Sequence, residues 1–312
     1  MDDGSRHRMR VELLPTSACH VQRTKDPVAE MSKFLDVWKP DTIVTWESPR
    51  SVEFPFLWKK KGIRWLNVVH WEWFNPRLME AWKLAELIAP NPHCQKLLLE
   101  HYRLRSVVLP VPVDTERFQF RKRRRADSFL TVYGRGGPHN RRSLPEILLA
   151  WSDMQDPPPL TVKAQERPPE FERFLPPSCV ALEHVTHPEP EDAYLVGDVA
   201  IQLSRYEGVG MTILEAMSSG MPVITTKGHP MADLAPEFTV QVEDTTVVPL
   251  AGKEVTAYTP SAQHLRTVVQ GMLGMDITGY SESVRKRVEL VYSWKVLRQE
   301  WLKLLAKSGR SL

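Results

Sequence analysis

The stretch LSRYEGVGMTILEAMSSGMPVITT, residues 203–226, decides the fold. MTILEAMSSG carries apolar residues at helical spacing, and the flanking segments DVAIQLS (198–204) and PVITT (222–226) are short apolar runs of strand character. Gly208 and Gly210 predict a loop that takes backbone angles other residues resist and lets a ligand come close to the main chain. Gly220 and Pro222 then end the helix. The loop delivers a helix N-terminus near Met211, with unpaired N–H groups and a partial positive charge of about half a unit, which makes a seat for pyrophosphate. Glu207 lies in the loop and Glu215 roughly 6 Å up the helix. A carboxylate repels phosphate but accepts hydrogen bonds from sugar hydroxyls, so the layout suits a diphosphate with a sugar at each end, a nucleotide sugar.

Outward from this stretch, strand-like runs alternate with helical ones. TIVTW (42–46), WLNVVH (65–70), LIAP (87–90), SVVLPV (106–111) and FLTVYG (129–134) read as strands. VAEMSKFLDVW (28–38), NPRLMEAWKLAE (75–86), HCQKLLLEHY (93–102) and SLPEILLAWSDM (143–154) read as helices. Such alternation predicts two α/β halves with parallel sheets and crossover helices. Apolar periodicity stops in PVDTERFQFRKRRRAD (112–127), so the halves are expected at 1–115 and 128–290, joined by a basic linker at 116–127. VRKRVELVYSWKVLRQEWLKLLAK (284–307) reads as one or two amphipathic helices, the closing helix falling within 291–312.

Composition narrows the class. The chain has 312 residues, 42% hydrophobic and 25% charged, as soluble globular proteins do. A net charge of +3 identifies no nucleic-acid binder by itself, and three separated Cys without a CxxC pair exclude a disulfide framework and a structural zinc site. No apolar run approaches the roughly 20 residues of a membrane span. MDDGSRHRMR has no apolar core after it and does not read as a signal peptide, so the expected compartment is the cytoplasm, or the host cytoplasm if the chain is phage-encoded.

Glu207 and Glu215, with seven residues between them and followed by AMSSGMPVITT, resemble the signature of retaining GT-B glycosyltransferases, family four in particular. FLTVYGRGGPHNRRSLPEILLAW (129–151) resembles the opening of that family's donor domain, NPHCQKLLLEHYRLRSVVLPVPVDTERF (91–118) the end of its acceptor domain, and YSWKVLRQEWLKLL (292–305) its closing helix. The resemblance covers roughly residues 65–305 and implies an α/β GT-B architecture of two facing Rossmann-like domains with a cleft between them. The N-terminal domain would be abbreviated, because RMRVELLPTSACHVQ (8–22) lacks the family's Gly-rich loop. By resemblance Glu215 holds the nucleotide ribose and Glu207 the transferred hexose, with the backbone of Gly208, Val209, Gly210, Met211 and Thr212 on the phosphates and hexose. Arg135 matches the family's first phosphate grip. The loop is longer than usual, and either Arg142 or Arg141 stands for the second, a Lys in the family. His70, ending a strand in VVHWEWF (68–74), resembles the family's His that approaches the hexose across the cleft.

These parts imply a metal-independent hexosyltransferase that uses a UDP- or GDP-hexose as co-substrate and no obligatory cofactor, since no carboxylate cluster of metal-binding type lies beside the arginines. On the acceptor side Glu47, Trp71, Glu72 and Trp73 are expected near the entrance, with Ser48 beside Glu47 in DTIVTWESPRS (41–51), and Glu72 suited to accept a proton from a hydroxyl. The acceptor is a saccharide or small molecule in the leading reading, with peripheral contact to anionic lipid as another. An alternative is hydroxymethylated DNA, with RHRMR (6–10), KKKGIR (59–64) and RKRRR (121–125) along the cleft rim and Trp46, Trp71 and Trp73 around a flipped base. A third reading, of another class, is a non-catalytic sugar-nucleotide-binding protein.

Overall fold

The apolar runs pair as two parallel sheets and one hairpin. The computed structural model describes residues 26–47, 53–174, 176–184 and 189–306, so the readings of RHRMR, of 8–22 with Cys19, and of Ser48 lie outside the described residues. In the first half, β1 (Thr42–Trp46), β2 (Arg64–Val68), β3 (Glu86–Ala89) and β4 (Ser106–Val108) pair in parallel in that order. The second half holds β5 (Phe129–Gly134), β6 (Leu160–Ala164), β7 (Val180–His184), β8 (Val199–Gln202), β9 (Val223–Thr226) and β10 (Phe238–Val240), ordered β10–β9–β8–β5–β6–β7. The chain therefore reverses its direction of travel between β5 and β8. In an open parallel sheet, that switch opens a crevice beyond the strand C-termini, where ligands bind. The loops that leave β5 and β8 carry Arg135–Arg142 and Glu207.

Burial explains why the strand runs are nearly unbroken in apolar character. Val199, Ala200, Ile201 and Gln202 of β8 are all buried, as are all four residues of β9, because helices cover both faces. One face packs Phe129, Trp151, Leu148 and Leu265, the other Leu130, Ile213, Met217 and Val284. The stretch 284–307 lies in two helices, Thr278–Val291 and Trp294–Ala306, separated around Ser293, which bridges to Val113. The second helix returns to the first sheet. Leu297, Trp301 and Leu304, at i, i+4 and i+7, bury against Leu66, Val68 and Ile88, each side chain contributing about 1.5–3 kcal/mol. Arg64 fastens the far end, donating to the Leu304 carbonyl at 2.7 Å while its other nitrogens hold Glu86.

Two expectations need correction. Residues 75–86 do not form one helix: Pro76–Leu78 is a 3-10 turn, Met79–Trp82 a single α-turn, and Glu86 already begins β3. The chain folds around Trp82, which is wholly buried against Phe74 and Trp65 and donates its indole N–H to the Asn75 carbonyl at 2.9 Å. The second concerns β11 (Val242–Leu250) and β12 (Lys253–Pro260), an antiparallel hairpin with no counterpart in the sequence reading. Its inward residues Val248, Leu250, Val255 and Ala257 join the aromatic core of the first half, with Trp71, Phe74 and Trp82.

Candidate functional site

Gly210 caps the helix Met211–Ser218 in a left-handed conformation, φ +78°, as a Gly loop opening a helix requires. Gly208 is not in that region. Its lack of a side chain answers a close approach instead, because a Cβ there would meet Oε2 of Glu72 at 1.9 Å. The first half meets this loop a second time through Asn91. As N-cap of the helix Pro92–Tyr102 its Oδ1 accepts from the Cys94 N–H at 2.8 Å, and its Nδ2 donates to the Gly208 carbonyl at 2.7 Å.

Glu207 is buried between two guanidinium groups. Arg141 Nη2 donates to Oε2 at 2.6 Å, Arg142 Nη1 to Oε1 at 2.6 Å, and the Ser204 hydroxyl to Oε1 at 3.0 Å. Burial alone would raise this carboxyl, but the charges of Arg142 and Arg141 outweigh it and hold it at about 2. Arg142 also reaches the Thr212 hydroxyl at 3.4 Å, which places its charge at the N-terminus of the helix. Arg141 is shared with Glu72 at 3.3 Å. Glu72 has no partner for Oε2, and burial raises it to about 7 against the pull of Arg141. One turn up the helix, Glu215 accepts from the Tyr194 hydroxyl at 2.7 Å, and burial raises it too to about 7.

The acceptor-side residues divide. His70 follows β2, its Nδ1 is 3.6 Å from Glu47, and its Nε2 is buried without a partner. Burial lowers its pKa. Trp71 and Glu72 are buried in the 3-10 turn Trp71–Trp73, Trp71 with one edge on a cavity, while Trp73 is half-buried. Trp71 packs on Phe74 and Tyr102 in the aromatic core, and Trp46 stacks on Trp301, so the two rings belong to separate clusters and do not clamp one base. Arg135 is exposed on its loop, and the guanidinium groups gathered at Glu207 are those of Arg141 and Arg142.

The two described basic runs lie away from Glu207 and His70. KKKGIR precedes β2 and so lies at the strand N-termini, the edge opposite His70; Lys61 pairs with Asp36 at 2.6 Å and Arg64 with Glu86. RKRRR lies at the C-terminal end of the helix Met211–Ser218, where the Arg121 N–H donates to the Ser219 carbonyl, roughly 12 Å from the end that carries Glu207. Arg123 is buried against the Tyr194 carbonyl, Lys122 pairs with Glu282 and Arg125 with Asp127.

Sequence reasoning missed three contributors. Tyr194 sits in an apolar-poor 3-10 turn with no pattern to announce it. Asn91 had a signal in the Asn-Pro pair that opens a helix. Lys253, at the hairpin tip, donates to the Glu72 carbonyl at 3.2 Å and lies 4.9 Å from the Trp71 ring centre, and burial lowers it to about 8.

Residues 172–238 match the family model described as Glycosyl transferases group 1. Over 49 residues, 16% of this chain and 10% of the relative, the sequence is 43% identical to sulfoquinovosyl transferase SQD2 of Arabidopsis thaliana. A glycosyltransferase from Rickettsia africae superposes with a TM-score of 0.69 at 13% identity, covering 97% of this chain and 85% of the other. Anabaena HepE in complex with UDP-glucose superposes with a TM-score of 0.66 at 12% identity, covering 94% and 84%. Sucrose-phosphate synthase from Thermosynechococcus elongatus gives 0.67 at 14%, covering 94% and 79%. Among the described residues no helix is long and apolar enough to cross a membrane. At these identities the likeness to solved structures is one of fold, and together with the group 1 match it bears out the resemblance read in the sequence: the chain has the GT-B fold of these glycosyltransferases.

Proposed function

We propose that the chain is a retaining glycosyltransferase that moves a hexose from a nucleoside diphosphate sugar to a hydroxyl acceptor. The observation that carries this reading is the position of Arg142, bonded to both Glu207 and Thr212 at the N-terminus of the helix that bears Glu215. In the reaction the acceptor oxygen forms the new bond to the anomeric carbon, and the bond from that carbon to the diphosphate oxygen breaks. The diphosphate leaves with the electron pair and takes up the acceptor's proton. Arg142, Arg141 and the backbone of Gly208, Val209, Gly210 and Met211 stand where charge grows on the leaving group, with Arg135 available from the same loop. Glu207 receives hexose hydroxyls once the diphosphate draws a guanidinium from it, Glu215 receives the ribose, and His70 offers its free Nε2 from across the cleft. Phosphate charge is met by arginine and by the helix, so no metal ion is required.

In this reading residues 1–115 form the acceptor side, 116–127 the linker, 128–290 the donor domain, and 291–312 close the cleft from the C-terminal end. A UDP-hexose donor is supported by the structural neighbour described with UDP-glucose, and a GDP-hexose remains the second candidate. The enzyme would act in the cytoplasm. The reading of hydroxymethylated DNA as acceptor loses its observation, because KKKGIR and RKRRR lie away from the cleft. Incubation with radiolabelled UDP-glucose or GDP-mannose and a set of saccharide, lipid and DNA acceptors tests the proposal. Transfer with retained anomeric configuration is the expected result, whereas donor binding with no transfer to any acceptor would favour the non-catalytic binding protein.

A further inference from the structure

A cavity of about 470 Å³ has Glu207 in its wall, while Arg142 and Thr212 are not part of its lining. The loop and helix that follow β2 and β3 supply Trp71 and Tyr102, the second half supplies Tyr206, Glu207 and His229, and the β11–β12 hairpin closes the remaining side. The hairpin is fixed there at its tip and along its length. Lys253 bonds to the Glu72 carbonyl, Val255 and Ala257 are buried in the first half's aromatic core, and the Tyr258 ring lies on Gly228, where a Cβ would be 2.5 Å from it.

The lining has the chemistry of a sugar site. Aromatic walls from Trp71, Tyr102 and Tyr206 suit the C–H faces of a pyranose, and His101, His229 and Thr256 add groups that both donate and accept hydrogen bonds. The volume lies within the roughly 300–1,000 Å³ of small-molecule sites, which admits one or two sugar rings and excludes a duplex. The ammonium of Lys253 is committed to the Glu72 carbonyl and the Trp71 ring, and burial keeps His93 neutral, so no cluster of free cations is present to draw a phosphorylated or sulfated group.

We infer that this cavity is the acceptor subsite and that its occupant is a neutral saccharide of one or two rings, selected by the β11–β12 hairpin. The inference rests on the glycosyltransferase reading, because it is Glu207, in the cavity wall, that brings an occupant's hydroxyl beside the transferred hexose.

The test uses the full chain, UDP-glucose and GDP-mannose as donors, and glucose, maltose, cellobiose, lactose and sucrose as acceptor probes. Calorimetry with UDP and GDP comes first. If neither binds, the glycosyltransferase reading fails and this inference with it. Where one binds, transfer to at least one of the neutral sugars is expected. Thr256→Trp, which fills the cavity from an exposed strand position, should raise the KM for that sugar at least tenfold while the nucleotide Kd stays within twofold. His101→Ala, at an exposed helix position, guards against a folding artefact and should raise the same KM without moving the melting temperature. An unchanged acceptor KM in both variants overturns the assignment. So does nucleotide binding with transfer to none of the five sugars but to vesicles of anionic lipid or to hydroxymethylated DNA, which are offered in parallel.

Discussion

A Cβ on Gly208 would lie 1.9 Å from Oε2 of Glu72, so a carboxyl from the first half of the molecule occupies the side-chain position of a residue in the second. The two halves thus meet at the loop that opens the helix Met211–Ser218. Glu72 cannot swing aside freely, since it is buried and its other oxygen is held by Arg141. Gly208→Ala should therefore destabilise the protein by about 1–3 kcal/mol through overpacking. Urea denaturation measures this, and a variant as stable as the wild type would mean that Glu72 does not sit on the loop in solution.

Glu207 predicts acid sensitivity. Its folded pKa of about 2 lies below the ordinary 4.5, so its stabilisation is complete above about pH 4.5 and is lost as pH falls toward 2. Glu207→Gln leaves Arg142 without its carboxylate and Arg141 with Glu72 alone, and should cost about 3–5 kcal/mol at neutral pH. It should also flatten the loss of stability between pH 4.5 and 2. Thermal melts of both proteins across that window check both statements.

Glu215 carries the opposite sign. Burial raises it to about 7, so it becomes a full acceptor for ribose hydroxyls only as pH rises through that value. Affinity for the nucleotide should increase from pH 6 to pH 8. Glu215→Ala should weaken binding by about 1.5–3 kcal/mol and remove the pH dependence. Calorimetric titration with UDP or GDP at several pH values reads both effects.

Metal removal should leave transfer intact, because Arg141, Arg142 and the helix N-terminus meet the diphosphate charge. Rates with and without excess EDTA should agree within a factor of two. Loss of transfer that magnesium or manganese restores would show a cation where the arginines have been placed.

Trp301 tests the closing helix. It stacks on Trp46, with ring centres 5.9 Å apart, and packs with Leu66 and Val68 of the first sheet. Trp301→Ala should cost about 3–5 kcal/mol. A melting temperature near that of the wild type would mean that the helix is not seated on the first sheet.

Much of this molecule was legible before any coordinates. Residues 42–46 and 129–134 form strands with the bounds read from the sequence, and Met211 opens a helix behind Gly210. Local rules suffice for such elements: a short run rich in β-branched and aromatic residues between turn signals favours a strand, and a left-handed cap favours glycine. Reading failed at residues 75–86, where the apolar spacing suits a helix but the burial of Trp82 bends the chain into two short turns. The sequence places Gly208 in the loop for backbone freedom and for close approach of a ligand, and in the structure the group that approaches it is a carboxyl 136 positions earlier in the chain.

The sequence by itself determined the parallel α/β architecture and the loop and helix that carry Glu207, Gly210, Met211 and Glu215, because these depend on neighbours within one strand–loop–helix unit. Only the tertiary structure decided that both Arg141 and Arg142 bind Glu207, that KKKGIR and RKRRR lie away from Glu207, and that Val242–Pro260 is a hairpin seated on the first half. Periodicity records that one face of an element is apolar. It does not record which distant surface covers that face: the arginines that lower Glu207 reach it from another loop of the same half, and Glu72 meets Arg141 only where the first half closes on the second.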